Sequence, residues 1–175
     1  MAGNRVGKSD TGCYEDALHL TGEYPDWWEG RRFSSPVEGW IAGETNSTTR
    51  DILQAKLLGA WGDFGTGILP GDALVDFTSK RGLPEAVDVV YVKHLSGGVS
   101  MAGFKSYAEG RANFQGTAKH FVHFDEEPDV SVYAEALMRT MIVPGTDAGG
   151  LMYLTFTPLQ GWSEVVESFL GGADP

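Results

Sequence analysis

Two runs of residues carry side chains that do chemistry together: Ala2-Gly3-Asn4-Arg5-Val6-Gly7-Lys8-Ser9 near the start of the chain, and Phe121-Val122-His123-Phe124-Asp125-Glu126-Glu127 further along. The first fits a relaxed phosphate-binding loop, a small residue, four positions, then Gly-Lys-Ser, with Ala2 where the strict pattern has glycine. In such a loop the backbone N–H groups of Gly3, Asn4, Arg5, Val6, Gly7, Lys8 and Ser9, with the N-terminus of the following helix, cradle phosphate oxygens. Lys8 adds a point charge at the outer phosphates, and Ser9 is placed to hold Mg²⁺. The second run is apolar and aromatic and ends in carboxylates, as expected of a buried strand that delivers Asp125 to the metal at its carboxyl end. Glu126, beside it, is the natural residue to orient and deprotonate an attacking water, since phosphoryl transfer is catalysed mostly by positioning and charge stabilisation. Glu127 competes for that role, and strand alternation does not decide between them. Neither run is specific alone, because Gly-Lys-Ser is often only a turn and an acidic strand end is often only solvated. In this order, about one α/β core apart, they predict a nucleotide site.

The intervening sequence must build the elements that bring these runs together. A short helix is predicted over residues 7–19, with Tyr14, Ala17 and Leu18 on its buried face, and Gly22 and Pro25 stop it. Trp27 and Trp28 sit among charged residues; they read as packing partly buried under a loop, with a binding surface as the alternative. Residues 37–42 alternate as a strand, and Thr45 and Ser47 supply cap chemistry for a helix running to Leu58. A glycine-rich stretch follows, with a short helix expected over 72–80. Residues 87–94 and 99–105 form a hairpin around Ser96-Gly97-Gly98. Pro128 and Asp129 open a helix over 130–141, residues 151–158 form a further strand, and 161–170 a last helix. Alternation of this kind predicts an α/β fold, a mostly parallel sheet with helices on both faces. Only Met1 precedes the loop, so the strand that should carry it is missing from this sequence.

Bulk properties narrow the classes. A chain of 175 residues with 42% hydrophobic residues suffices for one domain, and its net charge of −11 disfavours a broad, sequence-independent grip on a polyanion. Any nucleic-acid contact must be local. Cys13, the single cysteine, has no internal partner, which points to an intracellular compartment; no signal peptide or apolar run of membrane-spanning length is present. His94, His120 and His123 fall in or beside strands, alternating with apolar residues and without cysteine partners, and read as packing rather than as a zinc site.

With these pieces placed, the chain resembles the ATPase domain of the large terminase subunit of tailed bacteriophages, over nearly its whole length. The resemblance rests on Gly3 to Ser9, on Phe104-Lys105-Ser106-Tyr107 with Gly110-Arg111 and Phe114-Gln115-Gly116, on Phe124-Asp125-Glu126-Glu127-Pro128, and on Leu154-Thr155-Phe156-Thr157-Pro158-Leu159-Gln160-Gly161. It implies a RecA-like P-loop fold, with ATP and Mg²⁺ as ligands. Lys8 and Ser9 then match the loop lysine and hydroxyl, Asp125 the metal-coordinating aspartate, and Glu126 the catalytic glutamate. Thr157 matches the motif that couples hydrolysis to movement, and Arg5 the arginine these motors carry in the loop, where it neutralises charge on the transferred phosphoryl group. Many relatives place an arginine before the glycine that precedes the Asp-Glu strand; that position is Gln115 here, and Arg111 is the nearest substitute. The implied partners are double-stranded DNA, a portal protein and a small terminase subunit, in a homo-oligomeric ring within the host cytoplasm and away from membranes. Residues 1–175 read as a single ATPase domain, shortened at both ends and lacking the family's nuclease domain. Two rival readings are a truncated nucleotide-binding module without turnover and a helicase-like DNA-remodelling ATPase.

Overall fold

The computed structural model describes residues 7–143, 148–157 and 163–170. Six strands form one mixed sheet in the order β2-β3-β4-β1-β5-β6, with β1 (Glu38–Gly43), β2 (Leu74–Ser79), β3 (Val87–Lys93), β4 (Val99–Ser106), β5 (Phe121–Asp125) and β6 (Leu151–Thr155). Strands β4, β1, β5 and β6 run parallel, and the β2-β3-β4 half is antiparallel. The parallel half is the part that matters for a site, since the carboxyl ends of its strands open on one edge.

Strand alternation divides the core into two layers. Ile41 of β1 and Phe121 of β5 point to the face covered by α1 (Lys8–Thr21), where Cys13, Ala17 and Leu20 meet Leu57 and Leu58 of α3 (Ala55–Leu58). Trp40, Ala42, Val122 and Phe124 point to the other face, closed by Val132 and Ala136 of α4 (Val130–Thr140) and by Phe114. Helices therefore cover both faces, as the sequence predicted. Each fully buried Phe or Leu contributes about 1.5–3 kcal/mol relative to exposure, so these layers hold the sheet against its helices.

Helix α1 ends where Gly22, at φ 73°, takes the left-handed turn that a side chain disfavours and donates its N–H to Leu18 O. The predicted helix ending at Leu58 exists in three parts. It starts in α2 (Asn46–Thr48), capped by a reciprocal Thr45–Thr48 box, widens to a π-helix over Thr49–Gln54, and returns to α in α3. A last helix, α5, spans Glu164–Leu170.

Three local expectations are corrected. Residues 72–80 form no helix; β2 lies there, because Leu74, Val75, Phe77 and Thr78 are β-branched, aromatic or apolar and pair antiparallel with β3. Tyr14 is not on the buried face of α1 but 40% exposed, stacked against Trp27. Trp27 is itself 66% exposed, while Trp28 is half-buried and donates its indole N–H to Arg31 O.

Candidate functional site

Gly7 caps α1 in the left-handed region at φ 79° and carries no side chain that would occupy an anion's place at the helix start. One turn in, Ser9 Oγ donates to Asp125 Oδ1 at 2.8 Å, joining the first turn of α1 to the carboxyl end of β5. Lys8 Nζ donates to Thr157 Oγ1, just past β6. The structure thus brings Gly7, Lys8, Ser9, Asp125, Glu126 and Thr157 to one edge of the sheet. Gly3, Asn4, Arg5 and Val6 lie outside the described residues.

Glu126 has φ 71°, a left-handed conformation that a glutamate adopts only where its surroundings impose it. Its N–H donates to Thr155 O at 3.2 Å, and the sharp turn after β5 swings its exposed carboxylate clear of the strand. There it borders a cavity of about 90 Å³ with Gly43, Glu44, Thr48, Ile52, Leu53 and Asp125. Glu127 instead takes a hydrogen bond from Ser163 Oγ, so the adjacent glutamates have different surroundings. Tyr107 donates its hydroxyl to Asp125 O at 3.3 Å; desolvation first, then the charges of Glu44, Glu126 and Asp125, push its pKa up and keep it a donor.

Ser9 and Asp125 are hard oxygen donors at contact distance. They suit Mg²⁺, which binds through one or two protein oxygens and completes its shell with phosphate and water rather than in a full protein cage. Accordingly, no group of three or more His, Cys, Asp or Glu side chains among the described residues is arranged to hold a metal by itself. The histidines are apart: His94 bonds Ser96 Oγ, His120 Nδ1 accepts the Glu38 N–H, and His123 is buried beside Asp16. Arg111 is mostly exposed, 3.9 Å from a carboxylate oxygen of Glu135, and Gln115 is also exposed.

Sequence reasoning missed the groups behind Asp125. Thr155 Oγ1 donates to Asp125 Oδ1 at 2.8 Å, lies 2.9 Å from His123 Nε2, and His123 Nδ1 is 2.8 Å from Asp16 Oδ2. Tyr153 donates to Asp16 Oδ1 at 2.6 Å. Full burial works against charge on His123, yet the Asp16 carboxylate, by charge and hydrogen bond, outweighs it and raises the pKa. The signal was present as spacing: Ser9, Gly12 and Asp16 share one face of a helix, and His123 with Asp125, like Tyr153 with Thr155 and Thr157, share one face of a strand.

The family profile "Terminase large subunit, T4likevirus-type, N-terminal" matches residues 1–173. The chain belongs to the large terminase family. The large terminase subunit of Salmonella phage P22 is 41% identical over 190 residues, an alignment covering 97% of this chain and 37% of that protein. This terminase chain therefore spans little more than a third of that relative. Among solved structures, the large terminase ATPase domain of Thermus phage P74-26 superposes with a TM-score of 0.54 at 18% identity, over 96% of this chain and 61% of that one. The large terminase of a second thermophilic bacteriophage gives a TM-score of 0.54 at 13% identity, over 98% of this chain and 44% of that one. These likenesses show the fold, and the family profile and the P22 relative show the family. Among the described residues, no helix is long and apolar enough to cross a membrane.

Proposed function

We propose that this chain is the ATP-hydrolysing motor domain of a phage DNA-packaging terminase, acting over residues 1–175 as one domain. The observation that carries the reading is the convergence of Lys8 and Ser9 from α1 with Asp125 from β5 and Thr157 just past β6 on one edge. Lys8 takes the outer phosphates and the loop amides of Gly3, Asn4, Arg5, Val6 and Gly7 the inner ones, with the Arg5 guanidinium offsetting charge on the transferred group. Ser9 and Asp125 hold Mg²⁺, which when bound supplies positive charge to the phosphate oxygens. Glu126, turned out of its strand by its left-handed backbone, orients water in the cavity it shares with Glu44 and Thr48 and accepts its proton. Thr157, bonded to Lys8, reports the state of the outer phosphate to β6.

The work done is translocation of double-stranded DNA into a capsid through a portal protein, with a small terminase subunit and in a homo-oligomeric ring in the host cytoplasm. The net charge of −11 confines DNA contact to a narrow surface. The test is ATP hydrolysis by the whole chain: Lys8→Ala and Glu126→Ala each lower it at least about 100-fold, the scale of a lost general base. Unchanged turnover in both variants removes the site. ATP binding without turnover in the unaltered chain selects a nucleotide-binding module, and failure to bind a portal ring favours a helicase-like ATPase.

A further inference from the structure

Behind Asp125 runs a chain of buried polar groups to which the hydrolysis just described assigns no part. Asp16 and His123 are both fully buried, and such a pair is a poor source of stability, since desolvation offsets most of the attraction between its members. Its geometry points outward, to the site. Asp16 fixes the His123 ring through Nδ1 at 2.8 Å, His123 Nε2 meets Thr155 Oγ1 at 2.9 Å, and Thr155 donates to Asp125 Oδ1 at 2.8 Å. Ser9 donates to the same carboxylate oxygen. The circuit begins and ends on α1, whose Ser9 and Asp16 lie two turns apart on one face. Gly12 between them marks the closeness of the contact, because a Cβ there would stand 2.4 Å from His123 Nε2.

We propose that Asp16, His123 and Thr155 are positioning residues for the metal carboxylate: they prevent Asp125 from rotating and keep it at contact distance from Ser9. The inference rests on the nucleotide-site reading above and assigns three residues to it that touch neither nucleotide nor metal. Groups that orient a metal-ligating carboxylate in this way govern metal affinity, and their loss costs about 10–100-fold.

The experiment uses Mn²⁺ in place of Mg²⁺. Binding of Mn²⁺ by the full chain with a non-hydrolysable ATP analogue is followed by the loss of its free-ion electron paramagnetic resonance signal. Asp16→Asn and Thr155→Val, both near-isosteric, are expected to weaken Mn²⁺ binding at least about tenfold. Nucleotide binding in EDTA stays at the unaltered level, and Thr155→Ser, which keeps the hydroxyl, restores Mn²⁺ affinity. A structural role alone would instead lower all three readouts together. Ser9→Ala separates the two readings. If it loses Mn²⁺ affinity while Asp16→Asn and Thr155→Val bind within about twofold of the unaltered chain, far short of the loss expected of a positioning group, that role is overturned and the nucleotide site stands. If the unaltered chain binds no Mn²⁺ with the nucleotide analogue, both fall. Should Asp16→Asn not fold, the Thr155→Val and Thr155→Ser pair decides the same question.

Discussion

Replacing Gly12 by alanine is the sharpest test of how α1 is seated. In an unobstructed helix interior this change stabilises by about 1 kcal/mol, because glycine gives up more backbone freedom on folding. Here the new Cβ would stand 2.4 Å from His123 Nε2, 2.5 Å from its Cε1 and 2.9 Å from Thr155 Cγ2, all closer than carbon tolerates. The ring has nowhere to swing, being fully buried and held at Nδ1 by Asp16 and at Nε2 by Thr155. Overpacking of this kind costs about 1–3 kcal/mol. If the ring yields instead, a hydrogen bond to a carboxylate worth about 1.5–3 kcal/mol is lost. After the propensity gain, the net expectation is a loss of about 1 kcal/mol, or a drop in Tm of about 2–4 °C for a chain of this length. Thermal unfolding of Gly12→Ala, His123→Ala and the double variant reads it out. With the ring removed, the added methyl has room, so the double variant is more stable than the sum of the single losses implies, by at least about 1 kcal/mol. A Tm unchanged or raised in Gly12→Ala would refute the reasoning.

Three further outcomes are expected. Glu126→Gly relieves the left-handed backbone at φ 71° and raises stability by about 1 kcal/mol in denaturant unfolding while lowering ATP hydrolysis; a destabilised variant would show that the turn is not strained. Thr45→Ala removes the reciprocal cap of α2 and costs about 1 kcal/mol by the same measurement, and a loss under a few tenths would deny the cap a role. In proton NMR titration His94 and His120, their pKa values lowered chiefly by burial, titrate below 6.5, and His123, its pKa raised by Asp16 against desolvation, titrates above it. By linkage, the stabilising contribution of His123 is complete below pH 6.5 and fades as pH rises through its raised value. His94 and His120 act oppositely, favouring the fold above pH 6.5 and weakening it as pH falls through their lowered values. A His123 resonance that titrates below 6.5 contradicts the Asp16 pairing.

What the sequence disclosed, and what it hid, follows from range. The meeting of Ser9 with Asp125 was legible because each belongs to a local motif whose residue order is itself the signal, and β5 because it is an unbroken apolar run ending in carboxylates. Strand β2 was hidden because Asp76 interrupts its apolar run, and its residues become a strand only by pairing with β3. Tyr14 misled because an aromatic residue at helical spacing suggests core, whereas α1 turns it outward onto Trp27. His123 was read as packing, whereas it joins Asp16 to Thr155. Its partners Asp16 and Thr155 lie 107 and 32 residues away in sequence, so no local pattern announces them.

The register of β6 against β5 explains why the site is built at this junction rather than in a larger hollow. Cavities of about 260 and 270 Å³ lie beside β2 and beneath the β3-β4 turn, and neither is lined by Lys8, Ser9, Asp125 or Glu126. At the β5-β6 junction, pairing of His123 with Tyr153 and of Asp125 with Thr155 sets Thr155 on the face that meets α1, with Thr157 two residues further along. Thr155 donates to Asp125, and Thr157, just past the strand, accepts from Lys8, so β6 and the residues after it touch both β5 and the start of α1. A slip of one residue would turn Thr155 to the opposite face and break its bond to Asp125.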